Sequence, residues 1–584
     1  MRNLKTRKRL IAFALVTAML GSGAVNTFAA SNDAWTEATQ TEAAKNGAWE
    51  QWCNEWENIK DDWTQMSLTP GKNQTELNFG WYSKIGDAQP KIKIGQKADL
   101  SDAQELKVTT TSAVEGHESN KAIAKDLKPN STYYYSYTKN GVWTEAISYK
   151  TQNPEQFSFI YVGDPQIGSS SGNAATGSEE EQGQDLATRN DSFNWSNTIN
   201  SALAIRPNAS FVLSAGDQIQ TRDKKNKDPL YTGNEIEYAG YLSADALKSL
   251  PVATTVGNHD ALSSNYTYHF NNPNASDLGS TYAGGDYYFS YGEALFINLN
   301  TNNLNVAEHQ AFIEQAVKES SDTSWRIVTL HQDIYGSGEH SNEPEIVNLR
   351  YSLIPIFEAN NIDVVLTGHD HTYSRTFLLE GGKLDQSTMI TEDEFDAYFE
   401  GEVAIDDKYT NYLASVEDAK AVNVTNASGE VVDPQGILYM TANSSTGSKY
   451  YGLVEKQQAY VAARWQENVP TFSIVDITKD RFTIDTYRTD TMEKIDNTFS
   501  IVKTQASKKA IATDNKANNV STVSGTVAET AAAGNEVIFV EKAEDEKLPQ
   551  TGYRVSDLLL SLVSILGIGA LGVIFINKKK SVSK

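Results

Sequence analysis

The middle of the chain alternates between short apolar runs and longer amphipathic stretches. Between residues 155 and 503 the apolar runs consist mostly of Val, Ile, Leu and Phe, a composition typical of strands that are buried on both faces of a sheet. Amphipathic stretches such as residues 307–319 and 348–360 separate these runs and indicate helices. The pattern predicts an α/β domain over residues 155–503, with an acidic insertion at about 381–432 near the rim of its active site.

A different pattern, with a period of two residues, fills residues 67–151. Apolar and polar side chains alternate in short runs such as 76–82 and 132–137, and turn residues separate these runs. Period-two runs between turns are typical of an antiparallel β-sandwich. We therefore expect an all-β domain here, and a free-standing adhesive module is the alternative interpretation.

Tryptophans recur with a helical period in residues 30–66. Trp49, Trp52, Trp56 and Trp63 fall on one face of the predicted helix, and charged residues occupy the other. The stripe predicts a helix that docks its apolar face on the next domain. A sugar-binding platform is the alternative.

Both ends of the chain have the pattern of targeting segments. Residues 1–29 carry a basic stretch, an apolar run and then small residues, which is the layout of a secretory signal peptide. At the other end, a polar linker over residues 504–547 precedes the pentapeptide LPQTG and an apolar stretch at residues 558–576, which ends in a run of lysines. The apolar stretch is long enough to span a bilayer, so we expect it to hold the precursor in the membrane.

The C-terminal features, residues 548–584, resemble the sortase signal of Gram-positive surface proteins. The resemblance implies cleavage between Thr551 and Gly552 and covalent attachment to peptidoglycan. The mature protein is then expected to be secreted and anchored to the cell wall of a Gram-positive bacterium, with the membrane contacted only by the precursor's C-terminal segment.

Composition and charge exclude several classes of protein. The chain has 584 residues, enough for two or three domains, and 39% of them are apolar, which is too many for a fully disordered chain. Its formal charge of −25 argues against a nucleic-acid-binding surface, because phosphate contacts need clustered Lys and Arg. The single cysteine, Cys53, excludes an intramolecular disulfide framework and a cysteine-based zinc cluster.

Ligand-type side chains follow five of the predicted strands. The run at residues 157–162 leads into GDPQ, and later runs lead into GD, GNHD, a lone histidine and GHDH. Because α/β sheets build their sites at the carboxyl ends of strands, we expect these side chains to meet, and the glycines let the chain turn sharply there. The ligand-type residues are Asp164, Asp217, Asn258, His331, His369 and His371.

The types of these residues indicate the chemistry of the site. Two Asp, one Asn and three His supply oxygen and imidazole nitrogen but no thiolate, a set that suits manganese, iron or zinc in a dinuclear site. We therefore expect two divalent or trivalent metal ions as cofactors. The alternative, a set of unrelated polar loop residues, requires five such motifs to coincide with five strand ends.

The motifs GD, GD, GNHD, H and GHDH, in this order, resemble those of the calcineurin-like metallophosphoesterase superfamily. The preceding region, with LTPG at residues 68–71 and a tyrosine-corner pattern at 127–133, is similar to the fibronectin type III-like N-terminal domain of the purple acid phosphatase branch. The resemblance implies a catalytic domain of two β-sheets flanked by helices, behind a sandwich that acts as a scaffold. It implies Asp164 and His371 as first-metal ligands, Asp217 as the bridging ligand, and Asn258, His331 and His369 as second-metal ligands.

The GNHD motif and the segments after the last motifs supply candidates for contact with the substrate. The resemblance implies that His259 contacts the phosphate and protonates the leaving group, and Asp260 is placed beside it among the catalytic residues. Tyr335 and His340 follow the lone histidine closely, and we expect His340 and Arg375 to bind substrate at the mouth of the site. A solvated loop position is the alternative for His340.

Two positions depart from the family pattern. Gln166 stands where many superfamily members have a first-metal histidine, and Gln220 stands where purple acid phosphatases have a metal-binding tyrosine. Gln166 either offers its amide oxygen as a weaker neutral ligand or orients a bound water, and we favour the ligand interpretation. Without the tyrosinate, no purple colour is expected.

The expected function is a cell-wall-anchored, metal-dependent phosphoric ester hydrolase that acts on small-molecule phosphate monoesters, in the manner of an acid phosphatase. The resemblance implies attack by a metal-bound hydroxide. A phosphodiesterase or nucleotide hydrolase on the same centre is the first alternative, because loops outside the motifs select the leaving group. A surface adhesin with a decayed phosphatase domain is the second, and Gln166 is the feature that supports it.

Overall fold

The computed structural model describes residues 34–222, 231–422 and 430–504, all of which belong to one compact unit, Met1–Ser521. Within those three ranges no helix has the length and apolar character needed to cross a membrane. Several predicted segments lie outside the described residues: the signal peptide 1–29, the linker beyond 504, the LPQTG motif with Thr551 and Gly552, and the apolar stretch 558–576.

The tryptophan stripe forms helix α1, Ala48–Ile59, which packs on a second helix, α2, Gln184–Ile205. Trp52 Nε1 donates to the Arg189 carbonyl over 2.8 Å, and Trp56 Nε1 donates to Asp185 Oδ1 over 2.6 Å. The stripe is thus a packing face. The helix docks on the α/β domain and not, as predicted, on the next domain along the chain, because its indole donors find their acceptors on α2. Trp63, which lies beyond the helix, does pack against the sandwich, with its ring 5.1 Å from that of His117. Two 3₁₀-helices precede α1, Ala38–Gln40 and Glu42–Ala44.

The next region folds into two antiparallel sheets around a shared core. Phe79 and Trp81 of one sheet meet Tyr135 and Tyr137 of the other at ring-centroid distances of 5.2 and 5.9 Å. The Tyr133 hydroxyl accepts from the Lys128 N–H over 2.8 Å, as a tyrosine corner requires. Likeness to fibronectin type III domains stays a prediction. The strands are β1 Ser67–Pro70, β2 Leu77–Lys84, β3 Ile92–Gly95, β4 Gln104–Glu105, β5 Thr109–Ser112, β6 His117–Ala124, β7 Thr132–Lys139, β8 Val142–Trp143 and β9 Ile147–Lys150.

The remaining described strands form two larger sheets. They are β10 Gln156–Val162, β11 Val212–Ser214, β12 Val252–Thr254, β13 Tyr287–Tyr291, β14 Ala294–Leu299, β15 Trp325–Leu330, β16 Val364–Thr367, β17 Tyr373–Glu380, β18 Lys420–Ala421, β19 Val431–Val432, β20 Ile437–Thr441, β21 Val461–Trp465, β22 Thr471–Thr478, β23 Arg481–Arg488 and β24 Phe499–Val502. One sheet has the order β12-β11-β10-β22-β23-β24-β19, and the other has the order β13-β14-β15-β16-β20-β17-β18 with β21 paired to β17.

The two sheets pack face to face, and helices cover their outer faces. Phe159 and Leu213 of the first sheet share a core with Phe296, Ile327 and Met440 of the second. This arrangement confirms the predicted α/β fold of two sheets flanked by helices. Because both faces of each sheet are buried, the strands are apolar along their length and do not alternate with polar residues. The further helices are α3 Glu235–Leu242, α4 Asn265–His269, α5 Val306–Glu319, α6 Pro344–Ala359, α7 Glu392–Phe399 and α8 Asp407–Ser415, with 3₁₀-helices at Asp245–Lys248, His340–Asn342 and Gln386–Thr388.

The predicted insertion contributes α7 and α8, which pack around a small apolar cluster of their own that includes Phe395 and Tyr412. Tyr412 donates its hydroxyl proton to the Asn342 carbonyl over 2.6 Å. The insertion therefore contacts the segment just after His340. That it shapes specificity stays a prediction.

The sandwich and the α/β domain meet through buried polar contacts. His269 Nε2 lies 2.8 Å from Glu235 Oε2, and both side chains are almost fully buried. Tyr82 of β2 stacks on the His269 ring at 4.4 Å and donates its hydroxyl proton to Glu235 over 3.2 Å. Because hydrogen bonds join these buried side chains, the interface is specific and not a loose apolar contact.

Candidate metal centre

The predicted ligand residues meet where the two large sheets abut. Asp164, Asp217 and Asn258 follow the parallel neighbours β10, β11 and β12 of one sheet. His331 and the GHDH segment follow the parallel neighbours β15 and β16 of the other. Because the carboxyl ends of parallel strands lie on the same edge, each sheet delivers its ligands together.

The backbone of these loops is strained at the ligand positions. Non-glycine residues rarely adopt a positive φ, and such positions concentrate at functional sites. The surrounding hydrogen bonds hold this geometry, as when Gln166 N–H donates to the Asp217 carbonyl over 2.7 Å. The strained residues are Asp164 (φ 42°), Gln166 (37°), Asp217 (48°), His369 (76°) and His371 (49°).

The glycines of the motifs are required by close approach as well as by turning. A Cβ on Gly216, whose φ is 107°, would lie 2.3 Å from His331 Nδ1. A Cβ on Gly257 would lie 2.0 Å from Asp217 Oδ1. Each glycine therefore leaves room for a ligand side chain that comes from another strand end.

Asp164, Asp217 and His331 form the centre of the cluster. One ligand atom of each lies within 4.8 Å of the others, and all three side chains are buried. His331 Nδ1 donates to the Ala215 carbonyl over 2.9 Å, which fixes the ring and directs Nε2 inward. Nε2 lies 3.4 Å from Asp217 Oδ2.

The predicted second-metal ligands, Asn258, His331 and His369, converge on one point. His331 Nε2 lies 3.0 Å from Asn258 Oδ1 and 3.1 Å from His369 Nδ1. An amide oxygen is an acceptor, and so is Nε2 of a neutral His331 ring whose Nδ1 donates to Ala215, so a proton or a cation has to lie between them. The donor set, a carboxylate with an amide oxygen and imidazoles, fits a first-row transition metal.

The first-metal side is built from Asp164, His371 and Gln166. His371 Nδ1 donates to the Lys449 carbonyl over 2.8 Å, and Nε2 lies 3.5 Å from Asp164 Oδ1. The Asp164 carboxylate also accepts the His369 N–H. Gln166 Oε1 is buried and has no hydrogen-bond partner among the described residues, so this oxygen is available to bind a metal ion.

The charges of the cluster perturb one another strongly. Burial alone raises the pKa of Asp217, but the charges of His331 and His259 outweigh it and hold that pKa well below its usual range. Burial lowers the pKa of His331, but the charge of Asp217 and a hydrogen bond to it raise the pKa to about 9. Burial, with the charges of His340 and His331, holds the pKa of His369 well below its usual range.

His259 lies at the edge of this cluster. Its N–H donates to Asp217 Oδ1 over 2.8 Å, and Nδ1 lies 2.5 Å from the Gln220 carbonyl. Nδ1 therefore holds the proton of the neutral ring. Burial lowers the pKa of His259 to about 3 against the opposing charge of Asp217.

Asp260 is corrected from a catalytic to a positioning residue. Its buried carboxylate accepts the Gly257 N–H over 2.9 Å and the Gln218 side-chain amide over 2.9 Å, so it joins the GNHD loop to the Asp217 loop. Burial, with the charge of Asp217, raises the pKa of Asp260 to about 8. These contacts direct the carboxylate into the protein and away from a substrate.

His340 lies against the second-metal ligands. Its ring centroid is 4.8 Å from that of His369, and Nδ1 lies 2.5 Å from Glu343 Oε1. Nε2 is buried and has no hydrogen-bond partner. The solvated-loop alternative is excluded, because the side chain is almost fully buried.

Arg375 and Tyr335 do not line the site. Arg375 Nε donates to Asp496 Oδ2 over 2.7 Å, and its guanidinium lies over the Phe499 ring at 4.7 Å. The assignment of Arg375 to substrate binding is therefore corrected, because Asp496 neutralises its charge. Tyr335 is a core residue that packs against the Arg350 guanidinium at 4.8 Å.

Sequence reasoning missed the loop after β20, residues 444–451. Ser444 Oγ donates to the Asp164 carbonyl, and Thr446 Oγ1 donates to the Pro165 carbonyl over 2.7 Å. Thr36, far away in sequence, clamps this loop, with its N–H on the Gly447 carbonyl over 2.7 Å. The available signal was a polar run directly after a buried strand, the same signal that marks the other motifs.

Two more groups were missed. The Glu237 carboxylate accepts the N–H groups of Gln220 and Thr221 over 3.0 and 2.7 Å and so positions the loop that carries Gln220. The fully buried Asp333 lies next to Asp370, and burial together with the Asp370 charge holds the pKa of Asp333 well above its usual range.

Comparisons with known proteins agree with this architecture. Residues 157–373 match the calcineurin-like phosphoesterase family, and residues 63–151 match the purple acid phosphatase N-terminal domain. Purple acid phosphatase 4 of Arabidopsis thaliana is 41% identical over 59 residues, which are 10% of this chain and 16% of that protein. Purple acid phosphatase 19 of the same plant is 28% identical over 131 residues, which are 20% of this chain and 33% of that protein.

The chain thus spans a third or less of the length of these curated relatives. Among solved structures, a purple acid phosphatase isolated from yellow lupin (Lupinus luteus) seeds superposes with a TM-score of 0.52 at 15% identity, covering 80% of this chain and 78% of that one. At that identity the likeness concerns the fold alone. The chain therefore carries a calcineurin-like metallophosphoesterase domain behind a purple acid phosphatase N-terminal domain.

Proposed function

We propose that this protein hydrolyses phosphate monoesters with the help of two bound metal ions. The observation that carries the proposal is the convergence of Asp164, Asp217 and His331, whose ligand atoms lie within 4.8 Å of one another. An unpartnered amide oxygen on Gln166 adds to it. Six of the seven expected metal ligands are the residue types that the family pattern requires.

The first cation is proposed to be held by Asp164, His371 and Gln166, with Asp217 shared. Asn258, His331 and His369 are proposed to hold the second. When bound, such ions supply Lewis acidity that neutralises phosphate charge and makes a water acidic. Iron, manganese and zinc all suit these donors.

His259 and His340 are proposed to act on the substrate. The Gln220 carbonyl fixes the His259 ring through Nδ1. Nε2 is proposed to take up a proton when the anionic phosphate binds, because a nearby negative charge raises the pKa of a histidine, and to donate it to the leaving group. Burial lowers the pKa of His340, but the charge of Glu343 raises it to about 9, so Nε2 holds a proton at neutral pH. A buried N–H without a partner is then positioned to donate to a phosphate oxygen.

The proposal also covers secretion, attachment to the cell wall and the type of the N-terminal sandwich. Residues 1–29 direct secretion, and the LPQTG signal at 548–552 attaches the protein to peptidoglycan of a Gram-positive cell wall. The N-terminal sandwich is proposed to be fibronectin type III-like, and the Tyr133 hydroxyl contact supports this.

The test combines metal analysis with a substrate panel. The purified protein is expected to hold two metal ions per chain and to hydrolyse an aryl phosphate monoester faster than a diester or a nucleotide. Faster turnover of diesters or nucleotides favours the phosphodiesterase alternative. A protein that binds no metal and hydrolyses no phosphate ester contradicts the proposal and favours the adhesin.

A further inference from the structure

The 444–451 loop brings a lysine near His340 and His371. Lys449 Nζ donates to the Tyr451 hydroxyl over 2.6 Å and lies 4.3 Å from the centroid of that ring. The Tyr451 ring in turn contacts the rings of His340 and His371 at centroid distances of 4.8 and 5.0 Å. The Tyr451 ring therefore lies between the ammonium group and both histidines.

The backbone around Lys449 is held in place independently of its side chain. The Lys449 carbonyl accepts the proton of His371 Nδ1 over 2.8 Å. Ser445 N–H donates to the Gly163 carbonyl over 2.9 Å, one residue before Asp164. The lysine is thus pre-organised on the same loop that orients a metal ligand, so its position requires little ordering when a substrate binds.

The charge of Lys449 acts within an acidic surrounding. Asp164 and Asp217 lie at the centre, and the half-buried Glu339 and the buried Glu343 lie near His340. Burial raises the pKa of Glu339, while the charges of His340 and Lys449 oppose that shift. The lysine therefore offsets negative charge on the side of the site where His340 lies.

The number of charges on the phosphate distinguishes monoesters from diesters. A monoester carries a second negative oxygen at neutral pH, and a diester has an ester group in that place. A cation in a partly buried, low-dielectric position interacts more strongly with the dianion than with the monoanion.

We propose that Lys449, oriented by Tyr451, binds the charged oxygen that a phosphate monoester has and a diester lacks, and so sets a preference for monoesters. The inference rests on the proposed function and names the specificity of the same site. Lys449 contacts the substrate, and Tyr451 acts as a positioning residue.

The test compares p-nitrophenyl phosphate with bis-p-nitrophenyl phosphate, since both esters release the same leaving group. Lys449→Met is expected to lower kcat/KM for the monoester at least about tenfold, because a charged hydrogen bond is lost, and for the diester less than about threefold. Lys449→Arg is expected to keep most of the monoester activity. Tyr451→Phe is expected to give an intermediate loss, mainly through KM. Lys456→Met, at an exposed lysine, is the matched control.

Metal content and phosphate affinity separate the outcomes. Inorganic phosphate is titrated into the metal-loaded wild type and Lys449→Met, and binding is expected to weaken at least about tenfold with unchanged metal stoichiometry. Equal phosphate affinity, or an equal fall for both esters, overturns the inference. A wild type that hydrolyses neither ester contradicts the proposed function instead, and the phosphate titration then still decides whether Lys449 binds the anion.

Discussion

Gln166 donates its side-chain amide to Gln220 Oε1 over 2.9 Å, and this contact directs the Gln166 amide oxygen inward, where it is buried without a partner. The two residues are the positions at which the sequence departs from the family pattern. In the structure they are joined by this hydrogen bond: Gln220, at the tyrosine position of the family, orients Gln166, at the histidine position. Gln220 itself is held by Glu237.

The ligand interpretation of Gln166 predicts the effect of Gln166→His. Imidazole is a better donor than a neutral amide for these metals, so the first metal is expected to bind more tightly. Metal stoichiometry and affinity are measured for both forms, together with turnover of an aryl phosphate. Unchanged affinity with slower turnover would sink the interpretation and favour a water-orienting role.

Asp217→Asn is expected to lower turnover by at least about 10³-fold while the fold persists. A neutral amide bridges two cations poorly, and several kcal/mol of charge stabilisation are lost. Activity, metal content and circular dichroism are compared with those of Asp322→Asn, an exposed aspartate. Near-normal turnover with two bound metals would remove Asp217 from the bridging role.

Asp191 is expected to make stability depend on pH. Its fully buried carboxylate accepts the N–H groups of Gly168 and Ser170, but burial outweighs these bonds and raises its pKa to about 7. The folded state therefore keeps a proton that the unfolded chain releases above pH 3.8. The contribution of Asp191 to the free energy of unfolding is therefore complete below pH 3.8 and is lost as the pH rises to about 7, at about 1.4 kcal/mol per pH unit.

The matching variant is Asp191→Asn, which stays neutral at every pH. The difference in unfolding free energy between variant and wild type is expected to change between pH 4 and pH 8, in favour of the variant at the higher pH. Denaturant unfolding at four pH values measures it. A difference that is independent of pH contradicts the assignment.

Thr36→Val tests the N-terminal clamp on the 444–451 loop. The substitution removes the 2.7 Å contact between the Thr36 and Tyr450 hydroxyls at nearly constant volume and is expected to cost about 1 kcal/mol. Amide hydrogen exchange of residues 444–451 is expected to become faster. Thr39→Val, at an exposed threonine, is the control, and equal exchange in both variants argues against the clamp.

Removal of residues 548–584 is expected to release the protein into the medium, because the anchor proposal depends only on that segment. Cell-wall and medium fractions are compared by immunoblotting for the full and shortened chains. If the shortened chain stays on the wall, another part of the protein binds it.

Local patterns in the chain are enough to predict the α/β fold and the set of strand-end ligands. Period and composition distinguish buried strands from helices, and a glycine followed by Asp, Asn or His at a strand end is a local signal, because the turn and the ligand are adjacent in the chain. Asp164 and Asp217 carry this signal, whereas His331 is marked only by its place directly after a buried strand, and the structure brings the ligand atoms of all three together.

Contacts between side chains that are remote in sequence depend on the folded structure and could not be predicted from local patterns. Arg375 resembles a phosphate ligand until Asp496 neutralises it from 121 residues away, and Asp260 is occupied by Gln218. The polar run that contains Lys449 is a local signal, but the position of Lys449 beside His371 depends on how β20 pairs with β16. The type of a side chain determines which chemistry it can perform. Long-range packing determines which partner it contacts and therefore whether its charge is available to a substrate.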